Sequence, residues 1–274
     1  MVSKSESATV RPARGPHLAA ALAAGLALIL AAPFTRAADA GGAPILVYHR
    51  FDAAVAGPTT VTMAAFEAQL AALSRRGYRI VPLRQAVAEL AGTAPRPASP
   101  FAAITVDDGH RSVYSVLFPA IRKARIPVTL FVYPSAISNA PYALTWPQLR
   151  EMQASGLVDV ESHTYWHPNF RTERRRRTEA DYRAFVAMQL GRSRSVLERE
   201  LGKPVDQLAW PFGIVDPDLE AAARAAGYHS AFAYAGGPAK TGQDLLALPR
   251  IPVTDADRGR RFETLIGADK EATR

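Results

Sequence analysis

Cysteine is absent from the 274 residues. That absence excludes disulfide scaffolds, cysteine-based zinc ribbons, iron–sulfur clusters, thiol catalysis and cysteine-linked lipid anchors together. Internal repeats and low-complexity blocks are missing after the first 40 residues, and no later run is long and apolar enough to span a bilayer. Chemistry in this chain therefore falls to His, Asp, Glu, Ser, Lys, Tyr or a metal held by nitrogen and oxygen.

What is present fits a globular α/β protein. The hydrophobic fraction is 48%, the charged fraction 21%, and the length suits one large α/β-barrel domain or two small ones. Residues 1–40 stand apart. Lys4, Arg11 and Arg14 precede an Ala/Leu-rich run from Leu18 to Ala32, Pro33 closes it, and Ala38-Asp39-Ala40 follows as an A-x-A cleavage signal. That order predicts a secretory signal peptide over 1–40 and a domain over 41–274, exported to the periplasm or beyond. A membrane anchor is the lesser alternative, because the run falls short of the ~20 residues a span needs.

The formal charge of +8 drops to +6 once residues 1–40 are set aside. Five arginines, Arg171, Arg174, Arg175, Arg176 and Arg177, crowd into FRTERRRR. In an exported protein, and with no aromatic-interleaved motif beside it, such a run does not indicate nucleic acid. It reads as a solvated loop, with an anionic membrane or polymer surface as the alternative partner for Arg171–Arg177.

Apolar runs alternate with helix-period segments along the rest of the chain, which predicts βα units and a mainly parallel sheet. Strands are expected at Ile45–Tyr48, Arg79–Val81, Phe101–Val106, Val128–Val132, Val158–Ser162, Gln207–Trp210 and Ser230–Ala233. An apolar stretch, Leu246–Val253, follows them. Helices are expected at Met63–Arg76, Leu83–Leu90, Val113–Ala124, Trp146–Ala154, Ala180–Leu201 and Leu219–Ala226. Parallel α/β folds carry their chemistry at the C-terminal ends of strands. Asp107-Asp108-Gly109, His163-Thr-Tyr-Trp-His167-Pro168 and Trp210-Pro211-Phe212-Gly213 all stand there.

Two adjacent carboxylates in an extended strand point to opposite sides, so Asp107 and Asp108 are expected to hold different jobs. An N-cap is the structural alternative for one of them. His163 and His167 are four apart, but Pro168 disfavours helix at His167, so a tight turn is expected. No Glu follows His163, which excludes the HExxH arrangement. One Asp with two His supplies three N/O ligands and leaves a position for water, as a catalytic divalent metal requires.

Ile104-Thr-Val-Asp-Asp-Gly109 resembles the TFDDG motif of polysaccharide deacetylases with a NodB-type domain. Ser162-His-Thr-Tyr-Trp-His-Pro168 resembles their HxxxHP motif. The likeness runs from Ile45 to about Val253. It implies a single-domain, distorted (β/α)7-type barrel and hydrolytic N-deacetylation. It also implies Asp107 as general base and Asp108, His163 and His167 as ligands of a divalent metal. Zinc is favoured, with iron, nickel or cobalt as the alternatives for this donor set. Phe212 N–H is the implied oxyanion donor, within the turn Trp210, Pro211, Phe212 and Gly213.

Two positions depart from the family pattern. Ala209 stands where the family has an Arg that orients the catalytic Asp, and Arg250 stands where it has a His proposed as general acid. Arg cannot donate a proton near neutral pH, so His49, at the end of the first strand, is the best-placed substitute acid, with a structural, hydrogen-bonded His as the alternative. His110 and His229 read as structural or exposed. Similar departures, and a WP(Y/F)G turn, occur in the branch resembling poly-β-1,6-N-acetylglucosamine deacetylases. The expected partner is therefore an acetylated amino-sugar polymer of that kind, ahead of peptidoglycan, chitin or xylan. A metal-containing glycan-binding barrel without turnover is the rival, and no appended glycoside hydrolase domain is expected.

Overall fold

The central strands of this protein are short, apolar and buried on both faces, the mark of parallel sheets covered by helices. Ile45–Tyr48 is buried at all four positions, and Val128–Val132 at all five. A computed structural model describes residues 42–95, 99–234 and 236–267. The predicted signal segment, residues 1–40, therefore lies outside the described residues. Among those that are described, no helix is long and apolar enough to cross a membrane.

The sheet has nine strands. Eight follow one another in the order Leu248–Pro249, Ser230–Ala233, Gln207–Ala209, Val158–Ser162, Val128–Val132, Phe101–Asp107, Ile45–Tyr48 and Ile251–Pro252. Arg79–Ile80 adds beside Phe101–Asp107, and every pairing is parallel. The apolar stretch Leu246–Val253 is thus not one strand but two, pairing at opposite ends of the sheet. A single residue, Arg250, joins them. The result is a nearly closed, distorted barrel. Its thinnest seam lies between Val158–Ser162 and Gln207–Ala209, where Ser162 and Leu208 form the one register pair.

The helices sit close to the predicted ranges for identifiable reasons. Met63–Arg75 is capped by Thr62, whose hydroxyl accepts from Ala65 N, and it buries Phe66 and Leu73. Trp146–Ala154 opens with a capping box in which Thr145 and Gln148 satisfy each other's backbone. The predicted helix Val113–Ala124 divides into a π-turn, Val113–Leu117, and an α-helix, Phe118–Ala124. Pro119 has no N–H to continue a regular ladder, and the wider turn absorbs the gap.

The basic run is a correction to the loop reading. Phe170–Arg175 is a short helix capped by Asn169 and anchored by buried Phe170 and Glu173. Arg174 pairs with Asp216, Asp218 and Glu179, and Arg177 pairs with Glu173 while lying 4.0 Å over the Phe185 ring. Arg171, Arg175 and Arg176 remain exposed.

Candidate active site

Asp107 closes the strand Phe101–Asp107 and is completely buried. Asp108 then takes φ = 71°, a left-handed conformation uncommon outside glycine. This overturns the expectation of opposed carboxylates. The turn breaks the alternation of the strand, so Asp107 Oδ2 and Asp108 Oδ1 each come 3.7 Å from the same atom, His163 Nε2.

The two histidines sit in a tight turn, with Thr164 at φ = 65° and His167 at φ = 62°. Thr164 Oγ1 accepts from His167 N at 3.2 Å. The long helix Glu179–Leu201 holds this turn with buried polar side chains: Gln189 Oε1 accepts from Trp166 N, and Ser193 Oγ donates to the Thr164 carbonyl. His163 Nδ1 donates to the Ala209 carbonyl at 2.7 Å, which leaves the Nε2 lone pair for a ligand. Burial pushes the His163 imidazolium down to about 3, against the opposing pull of Asp107, so the ring is neutral.

Ligand atoms of Asp108, His163 and His167 all lie within 4.8 Å of one another. The donor chemistry fits a divalent cation: two neutral imidazoles, one of them oriented by a carbonyl, and one carboxylate. Burial, and after it the charge on Asp107, push the Asp108 carboxyl up, although His49 acts the other way. A cation held there would relieve that cost.

Arg250 is fully buried beside this set. Its Nη1 and Nη2 donate to Asp107 Oδ1 and Oδ2, each at 2.7 Å, and Nη1 also donates to Thr105 Oγ1. Phe131 and Tyr234 flank the guanidinium, each ring centroid 5.3 Å away. Burial alone would raise the Asp107 carboxyl, but the charge and hydrogen bonds of Arg250 hold it well below the usual carboxylate range. The orienting arginine missing at Ala209 is therefore supplied from a different strand junction.

His49 emerges at the same end of the barrel, half-buried, with Nε2 2.9 Å from Tyr234 Oη. Tyr234 Oη also donates to Asp107 Oδ2 at 3.3 Å. Burial and the nearby Asp107 raise the phenol far above its ordinary range, so it stays neutral. Tyr234 belongs to no sequence motif. Its sole signal was position, directly after the strand Ser230–Ala233.

In the Trp210–Gly213 turn, Trp210 is buried, donates from Nε1 to the Leu246 carbonyl at 2.9 Å, and packs on Phe170. Pro211 is buried beside it, so both support the turn without facing a ligand. Phe212 is the exposed member, at φ = 57°, with its ring 4.7 Å from the His167 ring. No backbone carbonyl among the described residues takes its N–H. Gly213 is required by close approach, since a Cβ there would fall 2.5 Å from Tyr234 N. His110 and His229 lie outside this group, His110 against Ser112 and His229 exposed beside Asp206.

A family model described as polysaccharide deacetylase matches residues 94–231, half of the chain, and spans both the Asp pair and the His turn. The chain belongs to the polysaccharide deacetylase family. This deacetylase shares its fold with the Streptococcus pyogenes deacetylase PplD, solved with acetate. The TM-score is 0.72 at 21% identity, over 82% of this chain and 98% of that one. IcaB from Ammonifex degensii is similar at a TM-score of 0.68 and 27% identity, covering 79% of this chain and 94% of that one. The poly-β-1,6-N-acetyl-D-glucosamine N-deacetylase of Staphylococcus epidermidis is 27% identical over 176 residues. That match spans 61% of this deacetylase and 60% of the relative.

Proposed function

We propose that this deacetylase is a metal-dependent N-deacetylase of an N-acetylglucosamine-containing exopolysaccharide, with the β-1,6-linked polymer favoured. The observation that carries the reading is a carboxylate, Asp107, clamped by Arg250 beside a three-ligand set of Asp108, His163 and His167. The similarity to an enzyme named for poly-β-1,6-N-acetylglucosamine supports the choice of polymer.

Each step follows from residue chemistry. Asp108, His163 and His167 would hold the metal, which when bound would lower the pKa of a water and polarise the acetamide carbonyl. Asp107, ionised and unable to swing away from Arg250, takes the proton of the attacking water. The oxyanion that develops needs a preorganised donor, and the Phe212 N–H is the candidate. The leaving amine needs a proton, because an amide anion is too poor a leaving group. His49, tied through Tyr234 to Asp107, is the proposed donor. Trp210, Pro211 and Gly213 shape the turn that carries Phe212.

The binding-only alternative rested on Ala209 and Arg250. It loses much of its force, because Arg250 performs the orienting task that Ala209 cannot. Export to the periplasm or beyond belongs to the same proposal, supported by the signal-like residues 1–40. So does contact with an anionic surface through the exposed Arg171, Arg175 and Arg176. The test is acetate release from β-1,6 and β-1,4 N-acetylglucosamine polymers, peptidoglycan and acetylated xylan. Release from the β-1,6 polymer, lost on chelation and restored by a divalent ion, is expected. A folded, metal-loaded protein that releases acetate from none of them overturns the reading.

A further inference from the structure

The seam between Val158–Ser162 and Gln207–Ala209 has a single register pair, Ser162 with Leu208, whereas Val158–Ser162 makes five with its other neighbour, Val128–Val132. Few ladder bonds therefore fix Gln207–Ala209 at this edge. Yet the Ala209 carbonyl must be well placed, because it takes the Nδ1 proton of His163 at 2.7 Å across this same seam. Something besides the backbone ladder has to hold it there.

Glu161 supplies the hold. It precedes His163 by two positions and is fully buried. Asp206 N and Gln207 N, the consecutive amides that lead into Gln207–Ala209, donate to its Oε2 at 3.1 and 2.9 Å. Arg84 Nη2 and Lys203 Nζ donate to its Oε1 at 2.5 and 2.8 Å. Each carboxylate oxygen thus accepts two bonds, which uses its capacity in full. The cations are themselves fixed, since Arg84 also pairs with Asp159 and Asp206, and Lys203 with Asp159. Arg84 stands in the first turn of Leu83–Leu90, whose buried Leu83, Ala86 and Leu90 pack in one cluster with Phe131 and Ala209. Three successive rungs therefore close the seam. They are the Glu161 carboxylate on two amides, the Ser162–Leu208 pair, and the His163 imidazole on the Ala209 carbonyl. Two of the three are made by side chains, and loss of the first leaves the third resting on one backbone pair.

Resting on the reading of Asp108, His163 and His167 as the metal set, we propose that Glu161 is a positioning residue for that set. It makes the bonds that the short ladder does not, and so fixes the carbonyl that sets the tautomer and orientation of His163. Groups that orient a ligating imidazole are worth about 10–100-fold in metal affinity. Glu161 acts through one such group without touching the metal, so its effect belongs at the lower end of that range.

The test uses the metal-free full chain with zinc or cobalt ion alone. Affinity is read by competition with a chromophoric chelator, and the His163 ring by the ¹⁵N resonances of labelled histidine. In the wild type those resonances should show one tautomer, protonated at Nδ1. Glu161→Ala should weaken ion binding about tenfold and mix the two tautomers, at temperatures well below its melting transition. Glu161→Gln, which keeps an acceptor for the two amides, should recover most of both. Leu73→Ala, a core deletion in the helix Met63–Arg75, controls for lost stability alone. Its melting temperature should fall while affinity and tautomer stay as in the wild type. Wild-type affinity with a single Nδ1–H tautomer in folded Glu161→Ala overturns the proposal, as does an equal loss of affinity in Leu73→Ala. Where Glu161→Ala does not fold, hydrogen exchange of the wild type decides. The Asp206 and Gln207 amides should be protected, and rapid exchange at both overturns the grip. If the wild type binds neither ion, the metal reading falls, and the tautomers of Glu161→Ala still judge Glu161.

Discussion

Arg250 grips both oxygens of Asp107 at 2.7 Å, although the two residues stand 143 positions apart and neither has measurable solvent exposure. A buried pair of this kind is strongly destabilising to break from one side, by about 3–5 kcal/mol, because the remaining charge is left uncompensated. Arg250→Met should therefore lower the melting temperature markedly and abolish most acetate release. Arg250→Lys should recover part of the stability but not the two-point grip. Differential scanning calorimetry with an acetate assay checks both.

The same pair sets a pH dependence. Asp107 has a depressed carboxyl in the folded protein, so its contribution to stability is present above the unfolded value of about 3.9. It is lost as pH falls through the folded value. Removing the positive partner raises the carboxyl, so the acidic limb of the residual kcat/KM should move to higher pH in Arg250→Met. A pH–rate profile unchanged from wild type would show that Asp107 is not the base.

Removal of a metal ligand should be visible without any substrate. Asp108→Ala, His163→Ala and His167→Ala each delete one donor of the three-ligand set. Each should purify with much less than one divalent ion per chain and show no acetate release. Elemental analysis is the direct check. A variant retaining full metal would remove that residue from the ligand set.

His49 and Tyr234 form one hydrogen-bonded unit that ends on Asp107. His49→Ala should reduce kcat by about 10²-fold or more, the scale of a lost general acid. Metal content and melting temperature should stay near wild type. Tyr234→Phe keeps the ring over Arg250 and deletes only the hydroxyl, so it should slow turnover more than it lowers stability. Full activity in His49→Ala would return the proton-donor role to Asp107.

Gly213 offers a backbone test. It has φ = 66°, and a Cβ would press on Tyr234 N and Cβ at 2.5 and 2.7 Å. Gly213→Ala should cost about 1–3 kcal/mol from strain and displacement. It should also lower activity by moving both Tyr234 and the Phe212 turn. Thermal melting and acetate release together separate the two effects.

The residues of the candidate site are largely legible in the sequence. Alternating apolar runs and helix-period segments specify a parallel α/β arrangement, because burial on both faces leaves a continuous apolar signature. Local turn chemistry placed Asp107, Asp108, His163, His167 and Phe212 at strand ends, and Pro168 excluded a helix through the histidines. Tertiary structure decided what those residues face. The left-handed turn at Asp108 turns two carboxylates toward one imidazole, which no strand periodicity contains. Leu246–Val253 read as one apolar stretch. Only closure of the sheet splits it into two strands and drives Arg250 inward onto Asp107. In the sequence, Ala209 stands where the family has an orienting Arg. In the folded chain its carbonyl orients His163, and the missing guanidinium arrives from across the barrel. Periodicity reports which positions are buried, since burial follows local spacing. It does not report which distant partner meets them, because that depends on how the strands close.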